Sequence, residues 1–347
     1  MTPERMRELV LELKKQRQAV ILAHNYQEGP IQDVADFTGD SLKLAQYATT
    51  VDEPVILFCG VHFMAETAAM LCPDKTVLVP DLSAGCSLAD MVVPAQVRKW
   101  KQEHPGGVVV CYINTSAAVK AECDYCCTSA NAEQVVRAIP EDKEILFVPD
   151  YYLGSYVKAK TGRDIHLWKG FCPSHAVIDP AEIDRLREEH PEAEFLMHPE
   201  CGCLTKQMDV ADKILSTDGM IRHVAISPAR SFIIATENGI LYRMRKENPG
   251  KTFFPASEHA GCHHMQQNTL EKVMRSLVTM QHPVTVKPEI AARAMLCIRR
   301  MMEMGSGTLV QVDWLAGTKE PDPDWADIQA HGAGWDDTVL QAANDLS

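Results

Sequence analysis

The 347-residue chain carries 34 Lys and Arg against 47 Asp and Glu, a formal net charge of −13. That balance excludes nucleic acid as the main partner, because a phosphate backbone demands clustered cations. Hydrophobic residues make up 46% and charged residues 23% of the chain, the proportions of a soluble globular protein, and no apolar run is long enough to predict a membrane span.

In chain order, residues 1–17 (MTPERMRELVLELKKQR) are charged throughout and lack the apolar core of a signal peptide, so a cytoplasmic protein is expected. The spacing predicts an amphipathic helix there, with Met6, Leu9, Val10 and Leu13 on one face, Thr2 as N-cap and Pro3 in the first turn. Three units then follow, at 18–105, 106–191 and 192–285. Each opens on an apolar run ending in a polar triplet: His24-Asn25-Tyr26, Tyr112-Ile113-Asn114 and His198-Pro199-Glu200. Next comes a predicted helix start, at Ser41, at Ser129 and at Ser216-Thr217, and then a second apolar run (VILF, EILF, FIIA). Each unit closes on a cysteine in a loop: Cys86 in AGCSLAD, Cys172 in KGFCPSH and Cys262 in AGCHHM. The features recur in one order at a period of roughly 90 residues, the signature of an internal repeat. Segment 286–315 contains a helix beginning at Pro288, and 316–347 reads as an acidic tail punctuated by Gly and Pro.

Each unit reads strand, helix, strand, helix, strand. The expectation is an α/β protein of three pseudo-three-fold-related, three-layer domains around a central cavity. Ligands of open α/β sheets bind at the carboxyl ends of the strands, which is where the triplets and cysteine loops fall. Cysteine is the one residue shared by all three loops, so Cys86, Cys172 and Cys262 are the expected metal ligands. His263 and His264 are read as loop residues whose side chains point apart. Three thiolates with no fixed fourth ligand allow zinc with an open position or a [4Fe–4S] cluster with one free iron. Cysteine-only ligation favours the cluster.

At these residues the chain resembles the quinolinate synthase family, over about residues 18–305. The matching stretches are ILAHNYQ, DSLKLAQ, FCGVHFMAETA, VPDLSAGCSLAD, CYINTSAAVKA, TSANA, FVPDYYLG, GFCPSH, HPEC, ATENGILYRM and the final AGC. The resemblance implies three α/β domains and a [4Fe–4S] cluster held by Cys86, Cys172 and Cys262, with one substrate-accessible iron. It implies condensation of iminoaspartate with dihydroxyacetone phosphate to quinolinate, phosphate and two waters. Functional coupling to an enzyme that produces the unstable iminoaspartate follows from that. Matched site positions are His24, Tyr26, Ser41, Tyr112, Asn114, Ser129, His175, His198, Glu200, Ser216 and Thr217. Tyr26, Glu200 and His24 are the acid/base candidates. Hydroxyls at helix starts are expected to hold the substrates' anionic groups without lysine.

Some relatives carry C-x-x-C-x-x-C around the third ligand; here His-His-Met follows Cys262. Cys123, Cys126, Cys127, Cys201 and Cys203 have weak structural-zinc spacing, and Cys59, Cys72, Cys111 and Cys297 read as core. Surface or structural roles are expected for His62, His104 and His166, and Met64 or Phe63 as cavity lining or core. The rival readings are a zinc aldolase or hydrolase, separated by metal identity, and an oxygen-responsive iron–sulfur sensor. The sensor lacks a DNA-binding motif or basic face and leaves the polar triplets without purpose.

Overall fold

The computed structural model describes residues 2–305, so the acidic tail expected at 316–347 lies outside the described residues. Three apolar runs centre the architecture: β1 (Ala19–His24), β5 (Val108–Tyr112) and β9 (Glu194–Met197). β1 sits between β2 (Phe37–Gly39) and β3 (Val55–Cys59), with β4 (Thr76–Leu78) beyond. β5 has β6 (Tyr125–Cys127), β7 (Ile145–Val148) and β8 (His166–Leu167) in the same places. β9 has β10 (Lys213–Ile214), β11 (Ser231–Ala235) and β12 (Thr252–Pro255). Every pairing within these sheets is parallel.

The strands lack polar alternation because both faces of each sheet are covered. Ile21 and Leu57 share a core with Val10 of helix Pro3–Gln16 and with Val273 and Leu277 of helix Leu270–Thr279. Their neighbours Val20, Leu22 and Ile56 face helices Ser41–Ala48 and His62–Leu71, and that core continues into the second sheet. In the third sheet Phe195 and Ile233 pack to one side, Leu196 and Ile234 to the other. Helix Pro288–Gly305 begins at its proline, as expected, and buries Cys297, Ile298 and Met301 against the second unit.

The repeat contains a device that the apolar pattern did not reveal. Asp36 Oδ2 accepts the Ile21 N–H at 2.8 Å, Asp124 Oδ2 accepts that of Val109 at 2.8 Å, and Asp212 Oδ2 accepts that of Phe195 at 2.7 Å. Each aspartate's own N–H returns to the carbonyl of the same residue, at 2.8, 2.9 and 3.0 Å. A paired clasp of this kind fixes where the central strand meets its short neighbour. It also satisfies backbone groups that burial would otherwise strand.

Two expectations need correction. Each unit has a fourth strand, β2, β6 or β10, of only two or three residues, too short to register as an alternating run. Ser129 does not begin a helix: helix Ala132–Arg137 starts later, after its N-cap Asn131. Ser41 and Thr217 do open helices, Ser41–Ala48 and Thr217–Ile226, behind the N-caps Asp40 and Ser216. Helix Pro3–Gln16 is capped by Thr2, as its sequence predicts.

Candidate active site

β1 ends on His24 and β5 on Tyr112, and His198 follows β9 directly. These carboxyl ends open onto a cavity of about 60 Å³. His24, Tyr26, Tyr112, Asn114, His198 and Glu200 all line it, as do Ser41, Ser129, His175 and Thr217. Cys86, Cys172 and Cys262 line the same cavity from the loops after β4, β8 and β12. Ser216 does not. It is buried, and its hydroxyl accepts the Gly219 N–H at 3.2 Å, so it serves helix Thr217–Ile226 as a cap.

Cys86, Cys172 and Cys262 are half-buried, whereas every other cysteine is buried. Burial pushes the Cys86 thiol up to about 12, with Cys262 and Glu200 adding to the rise. Burial also raises Cys172 and Cys262, and the negative charges of Glu200 and the other two thiolates add to the Cys172 rise. Three thiolates crowded into a desolvated space are stable only beside a cation that repays their burial. The third loop is pinned by Glu237, whose Oε1 accepts the Cys262 N–H at 3.1 Å and whose Oε2 accepts the Gly239 N–H at 2.7 Å. Glycine is required at 239, where a Cβ would lie 2.5 Å from the Tyr26 carbonyl oxygen.

The first and third triplets fold alike. The Tyr26 N–H donates to His24 Nδ1 at 3.2 Å, and the Glu200 N–H to His198 Nδ1 at 3.3 Å. A backbone donor on Nδ1 leaves the ring hydrogen on Nε2 in both neutral histidines. His198 Nε2 lies 3.1 Å from Ser129 Oγ, which it therefore donates to. Burial holds these rings neutral: His24 falls to about 3, His175 to about 4, and His198 well below the usual range. Burial and then Asp150 push the Glu200 carboxyl well above its ordinary value. Burial raises Tyr26 and Tyr112 too, with Glu200 beside each adding to it.

Glu200 Oε2 lies 3.4 Å from His198 Nδ1 and 3.6 Å from His175 Nδ1. With the rings neutral and the carboxyl raised, these are close contacts between uncharged groups rather than ion pairs. Asn114 Nδ2 donates to Glu200 Oε1 at 3.4 Å, while the buried Asn114 Oδ1 has no partner among the described residues. His175, Glu200 and His198 also form a group of donors within 4.8 Å of one another. His198 already uses both ring nitrogens, which counts against a single ion there.

Several lining residues escaped the sequence reading. Ser174 lies between Cys172 and His175 in GFCPSH, and Glu237 lies in ATENG, so the signal was inside stretches already singled out; Thr236 beside it reaches the site through Tyr26 and His175. Asp40 is the N-cap ahead of Ser41, and its carboxyl accepts the Lys43 N–H at 2.9 Å. It occupies the helix start that was expected to receive a substrate anion. No Lys or Arg is among the lining residues. Met64 lines the cavity, and Phe63 is buried beneath the Lys120 ammonium, 5.2 Å from its ring centroid.

The remaining motifs resolve differently from expectation in two places. His263 and His264 do not point apart. Their rings lie 3.9 Å centroid to centroid, and His264 Nε2 is bonded to Ser87 Oγ at 2.9 Å. Cys201 and Cys203 are joined in a disulfide, which removes them as free zinc ligands, while Cys123, Cys126 and Cys127 are buried in the core.

Comparison with known proteins decides the family. The profile of the "Quinolinate synthetase A protein" family matches residues 8–303. The chain belongs to that family. It is 52% identical to the quinolinate synthase of Pyrobaculum aerophilum over 304 residues, covering 86% of this chain and 99% of that one. The Thermus thermophilus quinolinate synthase is 52% identical over 309 residues, covering 88% and 99%. That of Methanoregula boonei is 48% identical over 299 residues, covering 86% and 98%. The match spans all three sheets, so it rests on the whole repeat and not on one loop.

Proposed function

We propose that this chain is a quinolinate synthase that condenses iminoaspartate with dihydroxyacetone phosphate, releasing phosphate and two waters. The single observation that carries the reading is the meeting of three half-buried thiols with an uncharged acid/base cluster in one cavity, within a chain of this family.

The donor set fits a [4Fe–4S] cluster on Cys86, Cys172 and Cys262. The described donor groups whose atoms all lie within 4.8 Å of one another are His104–Glu144–His166 and His175–His198–Glu200, and the three cysteines are in neither. One zinc at about 2.3 Å from each sulfur would need thiolates no more than about 4.6 Å apart, whereas a cubane spreads its ligands further. When bound, such a cluster supplies a Lewis-acidic iron for a departing hydroxyl.

The chain's own groups supply the rest. Glu200, held protonated by burial, is the acid that gives a proton to a leaving oxygen. Once Cys172 is deprotonated as a ligand, the His175 Nδ1–H donates to its sulfur across 3.2 Å. His175 Nε2 is then the acceptor that faces Thr236 Oγ1 at 3.0 Å and Tyr26 Oη at 3.3 Å. Tyr26 thereby gains an acceptor for its hydroxyl hydrogen, which orients the neutral phenol toward the cavity's acid/base groups. Asn114, through its free Oδ1, and the Ser129–His198 pair orient the substrate. Ser41 and Thr217 offer hydroxyls at two helix starts to its anionic groups.

The test is anaerobic purification, measurement of iron, acid-labile sulfide and zinc per chain, and an assay of quinolinate from the two substrates. Four irons and four sulfides per chain, on the order expected for one cubane, with quinolinate formed, support the proposal. Stoichiometric zinc without sulfide, or no quinolinate from an iron-replete sample, overturns it.

A further inference from the structure

The second sheet carries another convergence of donor groups, at the edge opposite the candidate active site. His104 ends helix Pro94–Glu103 shortly before β5, Glu144 immediately precedes β7, and His166 opens β8. All three therefore lie at the amino ends of strands whose carboxyl ends lead to Tyr112 and to the Cys172 loop. One ring nitrogen from each histidine and one Glu144 oxygen lie within 4.8 Å of one another. His104 Nδ1 is 2.7 Å from Glu144 Oε2, and the two imidazole centroids are 5.1 Å apart.

The backbone and an aromatic plate hold this arrangement. Trp100 stacks on His104 with centroids 4.4 Å apart and planes 13° from parallel, and it meets His166 edge-on at 5.8 Å. The indole is itself seated on Gly107, where a Cβ would lie 2.7 Å from the ring. The Val108 N–H donates to the Glu144 carbonyl at 2.9 Å, tying the Glu144 backbone to the start of β5. The imidazole of His166 makes no hydrogen bond among the described residues, which leaves its nitrogens free to bind.

Two imidazoles and a carboxylate are a donor set for a first-row divalent ion, with zinc favoured by its tolerance of three protein ligands and an open position. Calcium and magnesium prefer oxygen shells and are disfavoured by the two nitrogens. We propose that His104, Glu144 and His166 form a zinc site that braces the amino edge of the second sheet, apart from the cysteines of the candidate active site. A cation held there ties a helix end, a loop and a strand start that are separated in sequence, and it stabilises the folded chain because it binds the folded state and not the unfolded one.

The experiment is a titration of the full-length, anaerobically purified protein with zinc chloride against a chromogenic chelator. It is read together with the zinc K-edge absorption spectrum and the melting temperature. The expected result is one zinc per chain, a shell of nitrogen and oxygen only, and a melting temperature that rises with zinc. His166→Ala and Glu144→Gln should each weaken binding by about tenfold or more and abolish the thermal gain. Should His166→Ala melt early without metal, the near-isosteric Glu144→Gln carries the test. Unchanged affinity in both variants, a sulfur-containing shell, or wild type that keeps no zinc at micromolar concentrations overturns the site.

Discussion

Tyr26 Oη and Thr236 Oγ1 lie 2.6 Å apart, and both oxygens reach the same nitrogen of His175, at 3.3 and 3.0 Å. The three residues come from two different units and the loop of a third, so the contact exists only in the assembled fold. It gives Tyr26 a role that a phenyl ring cannot fill. Tyr26→Phe should keep its iron and sulfide but lose turnover by roughly 10²–10⁴-fold, the usual worth of a positioned acid or base. Steady-state assays on iron-matched samples check this, and full turnover in the variant removes Tyr26 from the mechanism. Thr236→Val should fall between the two enzymes, because it removes one partner and leaves the phenol in place.

The cysteines divide by exposure into three that face the cavity and the rest that do not. Cys86→Ala, Cys172→Ala and Cys262→Ala should each lose most of the bound iron and sulfide. Cys126→Ala, in the core, should keep both and show only the stability cost of a small cavity, about 1–2 kcal/mol. Colorimetric iron and sulfide assays after anaerobic purification give the answer. Iron retained in Cys262→Ala would contradict its assignment as a ligand.

Much of this was legible in the sequence because the repeat spaces its chemistry evenly. β1, β5 and β9 are apolar runs long enough to recognise, and a strand's carboxyl end is a physical location, so the triplets and cysteine loops could be placed before the fold was known. What escaped were features with no periodicity. β10 has two residues, Asp40 looks like any helix cap, and Thr236 and Glu237 earn their places through partners distant in sequence. Ser129 misled because its Thr-Ser-Ala-Asn setting mimics a cap, while Asn131 takes that position. The meeting of His104 with Glu144 and His166 was equally invisible, since three segments distant in sequence supply them.

The aspartate clasps predict a stability effect that repeats with the fold. Asp212→Ala should destabilise the protein by about 1–3 kcal/mol, because it leaves the buried Phe195 N–H without its side-chain acceptor. Asp124→Ala should cost at least as much, since Asp124 also pairs with Lys101 at 2.9 Å. Asp212→Asn retains an acceptor and should recover most of the loss. Denaturant midpoints at constant slope measure all three, and an Asp212→Ala protein as stable as wild type would show the clasp to be incidental.

Asp40 predicts a pH dependence of opposite sign to that of an ordinary salt-bridged carboxylate. Burial, and then the neighbouring Asp218 carboxylate, raise Asp40 to about 6 in the folded protein. The folded state therefore holds this proton more tightly than the unfolded chain. Its contribution to stability is complete below the unfolded value near 4 and is lost as pH rises through about 6. Asn at the same position caps the helix about as well as Asp and never ionises. Asp40→Asn should thus match wild type at the acid end and exceed it at pH 8 by on the order of 1–3 kcal/mol. Melting temperatures of the two proteins across this range give the comparison. A gap that stays flat, or that closes as pH rises, would mean that burial and Asp218 do not raise Asp40 in the folded protein.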